Sequence, residues 1–244
     1  MTAARPRPAF YALRPGGWRD YVTLLHPPYT LWHLSYVAVG AALAPRMDWA
    51  LFGWTTLAFA LAMGVGAHAL DELRGRPLQT RISRPMLAVL AAVSISGASA
   101  IGIAVAVSSS LWLLVFVGVG AFLVVAYNLE LFEGAFHGGL WFPAAWGAFP
   151  VLTAYFASAR TLHGAAFAAA AYAFASSWAQ RRLSTPVRLV RRRVVSVEGR
   201  AKLDDGTSLQ LDADALAAVP EAALKALAGA TVLIAVALLL VRAS

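Results

Sequence analysis

The stretch GVGAHALDELRGRPLQTR, residues 64–81, begins as an apolar helix and ends as a polar loop. A histidine, His68, and two consecutive carboxylates, Asp71 and Glu72, lie in it where such a helix would leave the hydrocarbon core of a membrane. Ionisable groups at membrane depth are costly, so they normally face a bundle interior or a wet cavity and mark a functional site. We therefore predict a site at these three residues.

Four arginines follow in the same short connection, namely Arg74, Arg76, Arg81 and Arg84. They have two interpretations. They are bases that bind an anion beside acids that hold a cation, or they are the ordinary positive charge of a cytosolic loop.

Composition sets the class of protein. Of the 244 residues, 60% are hydrophobic and 13% are charged, and the mean hydropathy is +0.67. These values exclude an ordinary soluble domain and predict a polytopic membrane protein. The net charge of +8 is explained by basic loops, so we expect no nucleic-acid partner. The absence of cysteine excludes disulfides, thiolate metal ligands and a cysteine nucleophile.

Seven apolar runs have about the length needed to cross a bilayer, for which about 20 helical residues suffice. The sequence therefore predicts an all-α transmembrane bundle of about seven spans, with a small cytosolic β-hairpin inserted before the last span. The predicted spans are Tyr29–Pro45, Trp49–Leu70, Met86–Val107, Leu111–Asn128, Gly138–Ala157, Leu162–Gln180 and Glu221–Val241.

The distribution of Lys and Arg predicts the orientation. With the N-terminus inside, seventeen of the 20 basic residues lie on the inner side, and only Arg46, Arg160 and Arg242 lie outside. This asymmetry predicts a cytosolic N-terminus. No apolar run precedes the first span, so we expect no cleavable signal peptide. We expect an integral protein of a bacterial cytoplasmic membrane.

Four segments follow from this topology. Residues 1–28 form a cytosolic tail, 29–180 a six-span bundle, 181–218 a basic cytosolic segment with the β-hairpin, and 219–244 a C-terminal transmembrane helix. The hairpin is predicted because two short alternating runs flank Asp-Asp-Gly at residues 204–206. The basic run either contributes to the site or binds anionic lipid headgroups.

A second group of acids, Glu130 and Glu133, follows Tyr127 directly after a long apolar run. On a continuing helix these acids would share a face. The alternative is an interfacial turn whose aromatic residues anchor the span. Pro143 and Pro150 then fall inside one span, where their freed backbone carbonyls must be satisfied by neighbours or line a cavity. The predicted topology places these acids, the Asp71 stretch and the basic run on one side, so we predict that they share one vestibule.

The order of these pieces resembles the UbiA superfamily of intramembrane prenyltransferases. The resemblance covers about residues 20–185. It rests on LLHPPYTLW at residues 24–32, on HALDE at residues 68–72 followed by Arg84-Pro85, and on the stretch from Tyr127 to Pro150. It implies transfer of the chain of a prenyl diphosphate to a membrane-soluble acceptor, or its cyclisation, with Mg²⁺ as a cofactor.

Roles follow for individual residues. The resemblance implies catalytic roles for Asp71, Glu72 and Tyr127. Hard oxygen ligands for Mg²⁺ would come from Asp71, Glu72, Glu130 and Glu133. Groups that hold the diphosphate would be His68, Arg74, Arg81, Arg181 and Arg182, with the arginines acting as bidentate phosphate ligands.

One departure keeps a second function open. The second acidic motif of that family would fall in residues 180–188, which contain no carboxylate. Arginine side chains either replace the second metal ion or mark a relative that has lost the chemistry. The alternative function is therefore a lipid-binding or isoprenoid-binding membrane protein without transferase activity.

Overall fold

Eight helices and one β-hairpin make up residues 8–244, the part of the chain that the computed structural model describes. The helices are α1 (Trp18–Leu24), α2 (Pro27–Leu43), α3 (Trp49–Gly75), α4 (Arg84–Ser108), α5 (Leu113–Asn128), α6 (residues 141–159), α7 (Gly164–Arg193) and α8 (Ala213–Ala243). The strands are β1 (Gly199–Lys202) and β2 (Ser208–Leu211), which pair in antiparallel fashion. The predicted hairpin is thus confirmed.

Polar residues define several helix starts. The side chain of Asp48 accepts a hydrogen bond from the Leu51 backbone N–H at the start of α3. Asp212 does the same for Ala215 at the start of α8. Such caps satisfy backbone donors that have no partner inside the helix. Because Asp212 caps it, α8 begins well before the predicted span at Glu221.

Three of the helices, α3, α4 and α8, are long and apolar enough to cross a membrane. Helix α5 is also apolar but shorter. By length and composition these helices indicate a membrane protein. The other predicted spans coincide with α2, α6 and α7, and the count of seven stays a prediction.

Helix α2 packs between α6 and α8, while α7 packs against α6 and α8, and α4 against α3 and α5. Two glycines allow close approach of backbones. A Cβ at Gly40 would collide with the backbone of Val151 in α6, and one at Gly147 would collide with Ala173 in α7. Small residues at helix contacts are typical of membrane bundles, where close packing replaces the hydrophobic driving force.

Two helices contain a wider, π-helical stretch, at Ala60–Ala67 in α3 and at Ala144–Ala148 in α6. The stretch in α6 lies between Pro143 and Pro150, so this helix absorbs both prolines without ending. Such stretches occur frequently at functional sites. Both lie beside the cavity described below.

Helix α7 does not end at Gln180, as the span prediction had it, but continues to Arg193. The residues after Gln180 are mainly Arg, Leu and Val, and arginine and leucine are good helix formers. The basic run is therefore helical, and its side chains follow the helical period. This extension decides which arginines face the interior of the bundle.

Candidate functional site

A polar cavity of about 270 Å³ lies at the end of the bundle where α2 begins and where α3, α5 and α7 end. We call this end the basic end, because Arg181, Arg188 and Arg192 line the cavity there. Helices α3, α5 and α7, which coincide with the second, fourth and sixth predicted spans, converge at this end, since Asp71, Tyr127 and Arg181 all border the same space.

The three arginines form one stripe of α7. They are spaced by seven and then four residues, which places them on the same face of a helix. Gln180 and Ser184 lie on this face and also line the cavity. Extension of α7 past Gln180 thus supplies the cationic wall of the site.

Neutral acceptors hold these guanidinium groups. Arg181 donates to the Tyr127 hydroxyl at 2.6 Å and to the His137 carbonyl at 3.2 Å. Arg188 donates to Ser184 Oγ at 3.0 Å, and Arg192 to the Pro8 carbonyl at 3.1 Å. None of the three forms a salt bridge within residues 8–244.

Convergent cations of this kind repel one another. Burial lowers the pKa of the Arg188 guanidinium, and the neighbouring charges of Arg192 and Arg181 lower it further. An anion between them would remove this penalty, because arginine forks bind phosphate oxygens through charged, bidentate hydrogen bonds. The wall therefore has the chemistry of an anion-binding site.

Asp71 is the one carboxylate among the residues that line this cavity. Its side chain forms no hydrogen bond or salt bridge within the described chain. Three arginines and one carboxylate leave the cavity with a net positive charge. Asp71 was predicted as a catalytic residue and a metal ligand; it lines the cavity, and its role stays a prediction.

Glu72 points the other way, which corrects its predicted role as a catalytic residue and metal ligand. It is fully buried outside the cavity. Its carboxylate accepts hydrogen bonds from Leu78 N at 3.0 Å, Thr80 N at 2.8 Å and Thr80 Oγ1 at 2.9 Å. Consecutive helical residues are turned by about 100°, so one carboxylate faces the cavity and the next anchors the loop after α3.

The other predicted metal ligands are also dispersed. Glu130 pairs with Arg74 at 2.7 Å on the rim of the basic end, and Glu133 is exposed. Within residues 8–244, no three His, Asp or Glu side chains cluster closely enough to hold a metal ion. The predicted four-carboxylate Mg²⁺ site is therefore not assembled.

Three of the predicted anion ligands lie outside the cavity. The Arg81 side chain is exposed. Its backbone N–H donates a hydrogen bond to the Asp20 carboxylate at 3.0 Å. Arg182 is exposed and lies over the Trp178 ring at 5.1 Å. Arg74 is engaged with Glu130 and with the Leu129 carbonyl. Of the predicted diphosphate ligands, only His68 and Arg181 line the cavity.

Four of the five histidines line the cavity, and three of them were not predicted: His26, His33 and His137. His26 and His68 stack with ring centroids 4.0 Å apart. Burial lowers the pKa of the His26 imidazole well below its usual value, and His68 is the next largest cause.

Backbone carbonyls fix the tautomer of the others. His33 Nδ1 lies 2.8 Å from the Trp146 carbonyl, His68 Nδ1 lies 3.1 Å from that of Gly64, and His137 Nδ1 lies 3.0 Å from that of Tyr127. A carbonyl only accepts, so each neutral ring carries its proton on Nδ1, and Nε2 is left as an acceptor.

The segment before α1 covers the cavity. Tyr11 lines it and packs against the rings of His26 and Tyr29, with centroids 5.3 and 5.6 Å away. Burial raises the pKa of the Tyr11 hydroxyl. Lys225 of α8 lies 5.0 Å from the centroid of the Phe10 ring. The covering segment is thus held by aromatic contacts and by the Arg192 hydrogen bond.

An apolar groove borders the polar cavity on its inner side. It is formed by α3, α4, α5 and α6. Met63 and Trp146 line both spaces. The two sites together present a cationic compartment joined to an apolar one, which is the layout that an amphiphile with an anionic head requires.

Comparison with known proteins identifies no family. No protein-family model matches the chain, and no curated protein or solved structure matches it. The resemblance to the UbiA superfamily therefore stays a prediction, and function has to be argued from the site.

Some of the site had a signal in the sequence. The spacing of Arg181, Arg188 and Arg192 is helical, but it becomes a signal only when the helix continues past Gln180, where the predicted span ends. His26, His33 and His137 had no such signal in the sequence. Single histidines in separate segments can be recognised as one cluster only when the structure shows that these segments are neighbours.

Proposed function

We propose that this protein binds a prenyl diphosphate within the membrane and transfers or cyclises its chain. The observation that carries the proposal is the meeting of two spaces at Met63 and Trp146. One is lined by Arg181, Arg188 and Arg192, which form no salt bridge within residues 8–244, and the other is an apolar groove. The diphosphate would lie against α7 and the prenyl chain in the groove.

In this proposal, arginine side chains neutralise the charge of the diphosphate, which metal ions do in the family that the sequence resembles. Diphosphate leaves an allylic carbon only when its developing charge is stabilised, and preorganised arginines do this in a site that excludes water. The described residues provide no cluster of carboxylates for Mg²⁺. The proposal therefore assigns the neutralisation to the three guanidinium groups.

The reaction would break the allylic C–O bond, and the electron pair would leave with the diphosphate. An acceptor atom would bond to the same carbon and lose a proton to a base. Asp71, which has no partner in the described chain, and the histidine Nε2 atoms are the bases that line the cavity. A cyclisation would lose its proton in the same way.

The alternative is a lipid-binding or isoprenoid-binding protein without transferase activity. Such a protein would bind the same ligand as the proposed transferase but would not convert it to product. The segment before α1 favours this alternative, because it lies over the basic end and is held there by the hydrogen bond from Arg192 to the Pro8 carbonyl.

Binding is tested with the full chain in phosphatidylcholine nanodiscs, by tryptophan fluorescence with farnesyl diphosphate and farnesol, both in EDTA. We expect the diphosphate to bind at least about tenfold more tightly than the alcohol. The double variant Arg188→Gln/Arg192→Gln should lose most of this difference, since each charged hydrogen bond is worth about 1.5–3 kcal/mol. Arg182→Gln is the matched control, one helix position from Arg181 but outside the cavity.

Equal binding of farnesol and farnesyl diphosphate would overturn the proposal. Diphosphate release during incubation with a membrane-lipid extract separates the two candidates. Release that depends on Asp71 and on the arginines supports the enzyme, whereas tight binding without release supports the carrier.

A further inference from the structure

Gln180 is a buried side chain whose hydrogen-bonding capacity is unused. It is only 3% exposed and lines the polar cavity beside Arg181. Its carboxamide forms no hydrogen bond within residues 8–244, and its Oε1 atom is buried without a partner. A buried amide without partners costs free energy. The cost is recovered if a ligand supplies the partner.

His33 offers a second unused group in the same cavity. It is 7% exposed, and its Nδ1–H donates to the Trp146 carbonyl at 2.8 Å. In the neutral ring Nε2 is then an acceptor. This atom forms no hydrogen bond within the part of the chain that the structure describes.

The two side chains line the same cavity from two neighbouring helices, α2 and α7. Ser177 of α7 donates to the Tyr36 hydroxyl of α2 at 3.2 Å, which joins the helices at that level. His33 precedes Tyr36 by three residues, and Gln180 follows Ser177 by three. Because α2 begins at the basic end and α7 ends there, both steps lead about 4.5 Å toward the basic end on the same helix faces.

His33 and Gln180 lie near the boundary between the polar cavity and the apolar groove. Gln180 adjoins Arg181, which belongs to the cationic wall. His33 holds the backbone of Trp146, whose side chain borders the apolar groove. If the proposed function is correct, the carbon that joins the prenyl chain to the diphosphate lies at this boundary.

We infer that His33 and Gln180 form a subsite for the hydroxyl group of the second substrate, an inference that rests on the proposed function. A hydroxyl both donates and accepts, so it can partner both side chains. It donates to His33 Nε2 and accepts from the NH2 group of Gln180, which a half-turn of the carboxamide brings to the buried position of Oε1. In transfer, the hydroxyl oxygen bonds to the allylic carbon, the C–O bond to the diphosphate breaks with its electron pair, and the hydroxyl proton passes to His33 Nε2. The product is a prenyl ether.

The test uses matched probes that differ by one methyl group. Dodecanol and 4-dodecylphenol, each with its methyl ether, are titrated against the full chain in nanodiscs, with and without saturating farnesyl thiolodiphosphate as an unreactive analogue. The wild type should bind each hydroxyl probe about threefold to tenfold more tightly than its ether, the range expected for a neutral hydrogen bond.

Variants locate the effect. Gln180→Met, which keeps the volume, and His33→Phe should each reduce the hydroxyl preference, taken as the ratio of hydroxyl to ether affinity within each variant, at least about twofold. Thr56→Val is the control, because the Thr56 hydroxyl is also buried without a partner but does not line the cavity.

A wild type that binds ether and hydroxyl probes equally would overturn the inference, and this result requires no variant to fold. A preference that survives both substitutions would also overturn it. If the analogue does not bind but the hydroxyl preference is present and is lost in both variants, the proposed function fails while the subsite stands.

Discussion

Arg181 donates a 2.6 Å hydrogen bond to the hydroxyl of Tyr127, which joins the end of α5 to the middle of α7. The tyrosine ring also packs on His137, with ring centroids 4.4 Å apart. The guanidinium is therefore held on both sides, by the hydroxyl and by the His137 carbonyl. Tyr127 is thus a residue that positions the innermost cation of the site.

Replacement of Tyr127 tests this role. Tyr127→Phe keeps the ring contacts and removes the acceptor, so Arg181 is no longer oriented. We expect affinity for farnesyl diphosphate to fall about threefold to tenfold, the value of one hydrogen bond, as measured in nanodiscs. Tyr155→Phe, which removes a tyrosine hydroxyl bonded to His163 outside the cavity, should leave the affinity unchanged. Equal losses in both variants would contradict the positioning role.

The two consecutive carboxylates should differ in what they control. Glu72→Gln weakens three hydrogen bonds of the loop after α3, so it should lower the free energy of unfolding by about 2 kcal/mol or more. Asp71→Asn should leave stability nearly unchanged and abolish diphosphate release. Thermal unfolding and release, measured on the same preparations, check both. A destabilised Asp71→Asn protein with full turnover would reverse the assignment.

Acid should destabilise the folded protein through the stacked pair His26 and His68. Burial, and then the neighbouring His68, lower the pKa of His26 in the folded protein well below 6.5, its value in an unfolded chain. At a pH between the folded and unfolded pKa values, the unfolded chain therefore binds one more proton than the folded one. Stability is then fully present above about pH 6.5 and falls as the pH drops, by up to about 1.4 kcal/mol per pH unit.

His26→Phe keeps an aromatic ring for stacking and removes the titration, so its melting temperature should depend less on pH between 7.5 and 5. His163→Phe, which lies outside the cavity, serves as the comparison. An unchanged pH slope in His26→Phe would show that another group carries the acid sensitivity.

Orientation is tested with reporter fusions. The seventeen-to-three split of basic residues predicts that the β-hairpin lies in the cytosol and the C-terminus on the other side of the membrane. Alkaline phosphatase fused after Ser244 should be active, while the same enzyme inserted at Gly206 should be inactive. Activity at both positions would contradict the seven-span topology.

Local chemistry explains which features were predictable. Apolar runs predicted the membrane class, and the alternating runs around Gly206 predicted the hairpin, because both depend on neighbours in the chain. Asp71, His68, Tyr127 and Arg181 were predicted and do line the cavity. Each lies at or beside the end of a predicted apolar span, where a polar residue stands out in the sequence.

Two structural details decided which of the other charged residues belong to the site: where each helix ends, and which side of the helix each residue lies on. Two adjacent carboxylates look equivalent in the sequence, yet Asp71 faces the cavity and Glu72 anchors a loop. Arg188 and Arg192 belong to the site because α7 continues past Gln180, whereas exposed Arg182 does not.

The sequence by itself determined the membrane class, the hairpin and the charge of the basic end, since these follow from composition and short periods. Only the tertiary structure decided that His33 and Gln180 line the same polar cavity. They are 147 positions apart in the chain, and only the packing of α2 against α7, joined by Tyr36 and Ser177, brings them to one cavity.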